Sequence, residues 1–512
     1  MRIITMYYKW NKSRAEDHID SLCEAVEEVT IKEYTRDKNL SSIKVNEAYS
    51  MNAVHLYVDI LNLEGILTTA NGTESSTTHK RAIRFFDSHV RAIKFILDRT
   101  DSIFVDFHNQ RLHAVIAKPY GDESEKDRIN KAIAIADLII ESVKQKREVD
   151  GDEAIEAADI RIGIDTGLAL AVNNGRRSNR EPLFLGDPAN HAAKHASGSN
   201  VGIYLTTNAR DVIGLNLDET KDTKKVKLKS DEIETSKNAA DLDLTCDDVM
   251  NELKNNDKKL NDFSFSRTTP PLKDLDFDDL YYKSAKHQEI VSIYADIDGF
   301  TNFVSANINS DEGKKDIVRA LHVLRSEMDA TLSNDFKGRR VRFIGDCLHG
   351  LICEGTHVET QKDKSVDVAT EAVAGIRSSF NMCLDKLNES FAIDGIDDLG
   401  LAIGYEIGDV SLTRVGKRND TSRYAIGIST IESEEAQKVC KGNETKIGKD
   451  AYDNLSDKYK TLFKNQVAAD LTYESIKSAD QADKNDDTVK KSSLYESAPY
   501  VDTDLKAHAK FK

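Results

Sequence analysis

Two aspartates in the second half of the chain have the types and spacing that metal-assisted phosphoryl chemistry needs. Asp296 ends an apolar run, Val291–Ile297, and Asp346 follows fifty residues later in Phe343–Asp346, where the pattern predicts a hairpin turn. If the hairpin lies beside the strand, the two carboxylates face each other. Without a cation they would repel, and one acid would stay protonated. Two divalent cations, Mn²⁺ or Mg²⁺, would bridge the acids, hold a triphosphate and lower the pKa of a nearby hydroxyl.

The residues just after Asp296 add a possible phosphate contact. Gly299, Phe300 and Thr301 start the next predicted helix, and the backbone N–H groups there suit phosphate oxygens. The alternative interpretation is structural. Asp296 would then be a strand-end residue that caps this helix, and Asp346 an ordinary hairpin-turn residue.

The elements that must position these acids occur twice in the chain. Three pairs of segments match in the same order at a nearly constant offset: Val54–Ile60 with Val291–Ile297, Val105–Ile116 with Val341–Ile352, and Arg161–Gly167 with Leu401–Gly408. Apolar residues at helical spacing connect the first two segments of each copy, such as Ile83, Phe86 and Val90, or Val318, Leu321 and Leu324. Each copy therefore reads as strand, helix, hairpin, helix, strand, which is the α+β, split βαβ (ferredoxin-like) plan.

The pattern divides the chain into five parts. The predicted parts are an N-terminal helical extension (1–49), a first domain (50–229), an acidic linker (230–286), a second domain (287–455) and a partly flexible C-terminal segment (456–512). The formal net charge of −17 disfavours nucleic acid and anionic membranes as partners. No apolar run could span a bilayer, the N-terminus lacks a signal-peptide core, and the six cysteines form no C-x-x-C pair. We therefore expect a cytoplasmic protein with reduced thiols.

The two aspartate motifs together resemble the class III adenylate/guanylate cyclase family. They read A-D-I-D-G-F-T after the strand and F-I-G-D in the hairpin. The resemblance implies that Asp296, Asp346 and the backbone carbonyl of Ile297 bind two Mg²⁺ or Mn²⁺ ions. It also implies conversion of a nucleoside triphosphate to a 3′,5′-cyclic monophosphate and pyrophosphate, at a site between two cyclase domains.

The two copies divide the family's tasks unequally. The first copy has Asp59 but carries Gln110 where the second metal aspartate belongs. It does carry G-D-P-A-N-H-A-A-K, which resembles the family's helix start, so the resemblance makes Asn190 the ribose-orienting residue and Lys194 the cation that offsets charge on the phosphate. The second copy has Glu435 in the place of that cation. A pseudo-heterodimer within one chain, with a single composite site, is therefore expected. Alternatively, Lys194 is a solvated helix residue.

The positions that read a purine base in the family hold Asp106 and Leu183, so both purine readers are missing. Asp106 would accept a hydrogen bond from the N4 amino group of cytosine or from N3–H of uracil. It would otherwise face solvent or pair with a nearby lysine.

The whole pattern is similar to the pyrimidine cyclases of bacterial Pycsar anti-phage systems. This resemblance implies manganese-dependent synthesis of cyclic CMP or cyclic UMP, sensed by a separate effector protein. Of the two substrates, CTP is preferred here over UTP. The alternatives are a purine cyclase and a catalytically inactive nucleotide-binding regulator, and further pairing of two chains stays open.

Overall fold

The computed structural model describes residues 8–35, 40–147, 154–174, 182–217, 221–257, 263–417 and 420–485. The first half contains these elements: α1 (Lys12–Ala25), β1 (Thr30–Glu33), β2 (Glu47–Ile60), α2 (Leu63–Leu67), α3 (Ser76–Arg99), β3 (Ile103–His108), β4 (Arg111–Ile116), α4 (Glu125–Val143), β5 (Ile160–Asn173), β6 (Pro182–Leu185), α5 (Asp187–Ala196), β7 (Gly202–Leu205) and α6 (Thr207–Ile213). Two helices follow, α7 (Ser230–Ala240) and α8 (Cys246–Asp257).

The second half repeats this order. Its elements are β8 (Lys286–Asp298), α9 (Phe300–Asn307), α10 (Asp311–Ala330), β9 (Arg339–Ile344), β10 (Cys347–Ile352), α11 (Lys362–Phe391), β11 (Gly400–Lys417), β12 (Asp420–Ile426), α12 (Ile428–Lys438), β13 (Glu444–Ile447), α13 (Lys449–Asn454), α14 (Asp457–Lys460), β14 (Val467–Ala469) and α15 (Tyr473–Asn485).

The two sheets share one strand arrangement, which confirms the predicted α+β tandem. In the first sheet β2 lies between β4 and β5, with β3 at the outer side of β4 and β6 beside β5. In the second sheet β8 lies between β10 and β11, with β9 outside β10 and β12 beside β11. The strands β2 and β8 are buried along most of their length, because both faces of a central strand are covered. Each copy thus places the end of its first strand beside the turn of its hairpin.

The two copies pack together into shared hydrophobic cores. Leu170, Val172 and Leu183 of the first copy belong to the core of the second, and Val415 and Tyr424 of the second copy belong to the core of the first. This reciprocal exchange buries the inner edge of each sheet against the other copy. Close packing of the shared cores therefore fixes the position of one copy relative to the other. None of the described helices is long and apolar enough to cross a lipid bilayer.

The segments outside the two repeats are more structured than their composition indicated. The N-terminal extension holds α1, which packs on α10 and α11 of the second copy, and β1, which pairs in parallel with β2 of the first. The expected linker contains α7 and α8, which pack on α4 and α3. Val249 and Leu253 of α8 are buried, as is Leu244 just before it, while Asp247 and Asp248 are exposed, so a composition average hides these helices. In the C-terminal segment α15 packs on α11, and residues 486–512 of the expected flexible tail lie outside the described residues.

Candidate active site

A narrow cleft lies between the two copies and collects most of the predicted site residues. Its walls include Asp106, Leu183 and Asn190 from the first copy and Phe300, Thr301 and Asp346 from the second. The two sets are far apart in the chain, and only the packing of the copies against each other makes them neighbours. The requirement that both halves meet in one place is therefore satisfied for these six residues.

The two aspartates occupy the positions expected from the repeat. Asp296 lies near the end of β8, and Asp346 is in the β9–β10 turn, directly before the strand β10 that pairs with β8. Burial, followed by the charges of Asp298 and Glu434, raises the pKa of Asp296 from 3.8 to about 6. Burial and the charge of Asp296 raise the pKa of Asp346 well above 3.8. Two partly buried acids that resist ionisation beside each other are a donor set that fits hard divalent cations.

The residues around the aspartates orient them. The side chain of Gln437 on α12 donates to Asp296, with Nε2 3.2 Å from Oδ2. Ile297 lies between Asp296 and Asp298 with its side chain in the core, so only its backbone is available for an ion. Among the described residues, no three Asp, Glu, Cys or His side chains are grouped so that they could hold a metal ion. The expected ligands, two carboxylates and one backbone carbonyl, form a smaller set than such a group.

Gly299 shapes the connection between β8 and α9. It has φ +84°, caps α9, and a Cβ there would come within 3.2 Å of the carbonyl oxygen of Asp398. Glycine is therefore needed for the sharp turn from β8 into α9. Phe300 and Thr301 form the first turn of α9 and line the cleft, so a helix start, whose first N–H groups have no partner within the helix, lies at the cleft.

Helix α5 brings in the residues of the first copy. Asn190 lies on the side of α5 that lines the cleft, whereas Lys194, one turn further on, is exposed and does not line it. The hydroxyl of Ser305 on α9 donates to the carboxylate of Asp187 at the start of α5, which ties the two helices across the cleft. The structure thus brings Asn190 into the same cleft as Asp346, whereas Asp296 and Lys194 are not among the residues that line it.

The surroundings of Asp106 differ from a solvent-facing position. Asp106 is only 8% exposed and forms an ion pair with the guanidinium of Arg342 from the second copy. Arg342 also donates to the backbone carbonyls of Phe107 and Arg423. His108 lines the cleft with Nδ1 3.7 Å from Oδ2 of Asp106, and Leu183 is buried beside them in β6.

Sequence reasoning missed Arg342 and His108. A signal for Arg342 was present, because it occupies the position in the second copy that Asp106 occupies in the first, and opposite charges at equivalent positions of a repeat can pair across its pseudo-twofold axis. No comparable signal marked His108, whose place in the cleft depends on the hairpin register.

The equivalent place on the other side of the pseudo-twofold axis is filled by protein ion pairs. Gln110 donates to Asp59 at 2.8 Å, and the Arg111 guanidinium lies 3.4 Å from the other oxygen of Asp59. Arg111 is also 4.0 Å from Glu434, which accepts a hydrogen bond from Asn109. The guanidinium of Arg111 supplies positive charge beside Asp59, so the Asp59 carboxylate needs no bound cation.

Comparisons with known proteins bear on the whole chain. The family model described as the adenylate and guanylate cyclase catalytic domain matches residues 282–468, which include both aspartates. A uridylate cyclase of Pseudomonas aeruginosa is 49% identical over 478 residues, which are 91% of this chain and 90% of that protein. A uridylate cyclase of a Rhizobium species is 35% identical over 450 residues, which are 84% of each chain.

A solved structure is similar throughout as well. The class III adenylyl cyclase-like ATP-binding protein from Pseudomonas aeruginosa superposes with a TM-score of 0.88 at 48% identity, and the match covers 93% of this chain and 100% of that one. Identity at this level over nearly all of both chains, together with paired aspartates at the expected strand end and hairpin, shows that this chain belongs to the class III adenylate/guanylate cyclase family.

Proposed function

We propose that the protein is a pyrimidine nucleotide cyclase that converts UTP to 3′,5′-cyclic UMP and pyrophosphate. In this reaction the ribose 3′-oxygen loses its proton and attacks the α-phosphorus, the new P–O bond closes the ring, and pyrophosphate leaves with the electrons of the α–β bridge bond. The main support is the relation to two uridylate cyclases at 49% and 35% identity over most of the chain.

Asp296, Asp346 and the backbone carbonyl of Ile297 would hold two divalent cations, Mn²⁺ or Mg²⁺. When bound, such ions lower the pKa of the 3′-hydroxyl and neutralise the phosphate oxygens. This role is supported by the raised pKa values of both acids, because a pair that is costly to ionise alone gains most from bound positive charge. The N–H groups at Phe300 and Thr301 would meet the terminal phosphates.

The first copy would supply the remaining groups. Asn190 would hold the ribose so that its 3′-oxygen points at the α-phosphorus, and Lys194 would offset charge that develops on the leaving phosphates. Lys194 is exposed and does not line the cleft, so its flexible side chain would have to extend inward over a bound triphosphate. Its role is consequently more dependent on bound substrate than that of Asn190.

Asp106 and His108 would read the base. The Asp106 carboxylate can accept from N3–H of uracil while His108 donates to O4. The same pair can serve N4–H and N3 of cytosine, so this contact suits both pyrimidines. The choice of UTP over CTP therefore follows the two relatives, and it replaces the preference for CTP that the sequence motifs had suggested.

The similarity to Pycsar cyclases extends the proposal to biology. Cyclic UMP made here would act as a second messenger in anti-phage defence and would be detected by a separate effector protein. Cells that carry the gene alone should then accumulate cyclic UMP during infection without protection, whereas cells that also carry the effector should be protected.

The direct test uses purified protein, Mn²⁺ and each of UTP, CTP, ATP and GTP, with products separated by chromatography. We expect cyclic UMP and pyrophosphate in equal amounts, with less product from the other nucleotides. Cyclic CMP as the main product would overturn the substrate, and cyclic AMP or cyclic GMP would overturn the pyrimidine class. Binding of UTP without any product would indicate a nucleotide-binding regulator instead.

A further inference from the structure

Arg325 on α10 links the metal-binding hairpin to the other copy. Its side chain is 3% exposed and reaches from the second copy to the boundary between the copies. Nη1 donates to the backbone carbonyl of Gly345 at 3.0 Å, and Nη2 donates to the side-chain oxygen of Asn174 at 2.9 Å. The guanidinium also lies 4.0 Å from the ring centre of Phe343.

The two acceptors of Arg325 have different origins. Gly345 directly precedes Asp346 in the β9–β10 turn and has φ +61°, so its carbonyl direction is coupled to the position of the Asp346 backbone. Asn174 follows β5 of the first copy, is 4% exposed, and lines the same cleft as Asp346. One planar guanidinium therefore holds a turn of one copy and a cleft residue of the other in a fixed relative geometry.

We propose that Arg325 is a positioning residue, which makes the placement of Asp346 depend on the contact between the two copies. The inference rests on the proposed cyclase function and goes beyond it. The turn alone is a two-residue connection whose glycine tolerates several backbone conformations. The hydrogen bond to Gly345 selects one of these, and the hydrogen bond to Asn174 makes that selection possible only when the first copy is docked. Asp346 would then reach its ion-binding position in the same packed arrangement that brings Asn190 to the cleft.

The test compares Arg325→Met, Asn174→Ala and the double variant with a matched control. Arg319→Met is the control, because it removes another mostly buried arginine from α10, one that contacts Glu312, Asp316 and the N-terminal segment instead of the cleft. Three properties are measured: kcat with UTP, Mn²⁺ binding from the paramagnetic resonance signal of free Mn²⁺, and amide hydrogen exchange of residues 343–347 without metal or nucleotide.

We expect Arg325→Met to lower kcat about 100-fold, as small displacements of catalytic groups do, and Asn174→Ala to lower it about tenfold. The double variant should be no worse than Arg325→Met, since both changes break one link. Exchange in the hairpin should be faster and Mn²⁺ binding weaker in all three variants, while the control should match the wild type in all three measurements. Arg325→Lys should recover part of the loss, because an ammonium can keep one of the two contacts.

Additive losses, an unchanged hairpin exchange rate, or equal effects of Arg319→Met would overturn the positioning role. If Arg325→Met fails to fold, Asn174→Ala decides, since faster hairpin exchange in a protein changed only in the first copy is expected from the link alone. If the wild type yields no cyclic product, the proposed function fails, whereas hydrogen exchange and Mn²⁺ binding still decide the link.

Discussion

Replacing Asp296 by asparagine should make the metal-free protein more stable while it removes activity. The carboxylate lies in a partly buried site beside Asp346 and Asp298, and its pKa is raised from 3.8 to about 6, mainly by burial. A difference of about 2 pKa units corresponds to roughly 3 kcal/mol of cost when the carboxylate is ionised in the folded state. An amide of nearly the same shape removes this cost and can still contact Gln437.

The pH dependence of this difference in stability follows from the direction in which the pKa of Asp296 is shifted. Below pH 3.8 the carboxyl is protonated in both the folded and the unfolded protein, so wild type and variant should be equally stable there. The cost appears between pH 3.8 and about 6 and is complete above, so the variant should be more stable by about 3 kcal/mol at pH 8. For a domain of ordinary size this is an increase in Tm of roughly 6 to 12 °C.

The assay is thermal unfolding with a chelator at pH 8 and at pH 4, repeated with Mn²⁺ at pH 8. Mn²⁺ should raise the Tm of the wild type, because a ligand that binds only the folded state stabilises it, and should have little effect on Asp296→Asn. Asp59→Asn is the control, because Asp59 is the first-copy counterpart of Asp296 and pairs with Arg111. This substitution should affect neither the Mn²⁺ response nor the cyclase activity. An Asp296→Asn protein that is less stable than the wild type at pH 8, or that still makes cyclic nucleotide at the wild-type rate, would refute the reasoning.

Three further outcomes are expected. Asn190→Ala should lower kcat about 100-fold with a smaller change in KM, and equal effects on KM and kcat would argue against ribose orientation. Lys194→Ala should lower kcat about tenfold, whereas Lys194→Arg should keep most of the wild-type kcat. Asp106→Asn should lower kcat/KM about tenfold for UTP and CTP alike, because a neutral amide is a weaker acceptor than a carboxylate for the N–H of either base, and unchanged values would exclude base reading there. Glu371→Gln should stabilise the protein by about 3 kcal/mol at pH 8, because burial raises the pKa of Glu371 from 4.5 to about 7 despite a hydrogen bond from Tyr459. The stabilisation should vanish below pH 4.5, where the carboxyl is protonated in both the folded and the unfolded protein. Denaturant unfolding at pH 8 and below pH 4.5 measures both values.

Much of the fold could be predicted because its signals are local and occur twice. The strands β2 and β8 carry the same apolar pattern, and each is followed by a helical stripe and a hairpin, so the plan of each sheet follows from periodicity. The position of Asp296 at a strand end and of Asp346 in a hairpin turn follows from the same pattern. The helices α7 and α8 escaped prediction because their buried faces are narrow and their composition is dominated by exposed charge.

The amino-acid order alone was enough to predict the paired acids, the duplicated pattern of strands and hairpins, and an unequal division of tasks between the copies, because each of these predictions depends on residue type at a fixed spacing. How the copies dock decided the rest: that Arg342 pairs with Asp106, that Lys194 does not line the cleft, and that Arg325 connects Gly345 to Asn174. Two of the contacts that cross between the copies, Asp106 with Arg342 and Asn174 with Arg325, join residues 236 and 151 positions apart in the chain. Their energies depend on burial and on distances of a few ångströms, which no local pattern in the chain encodes.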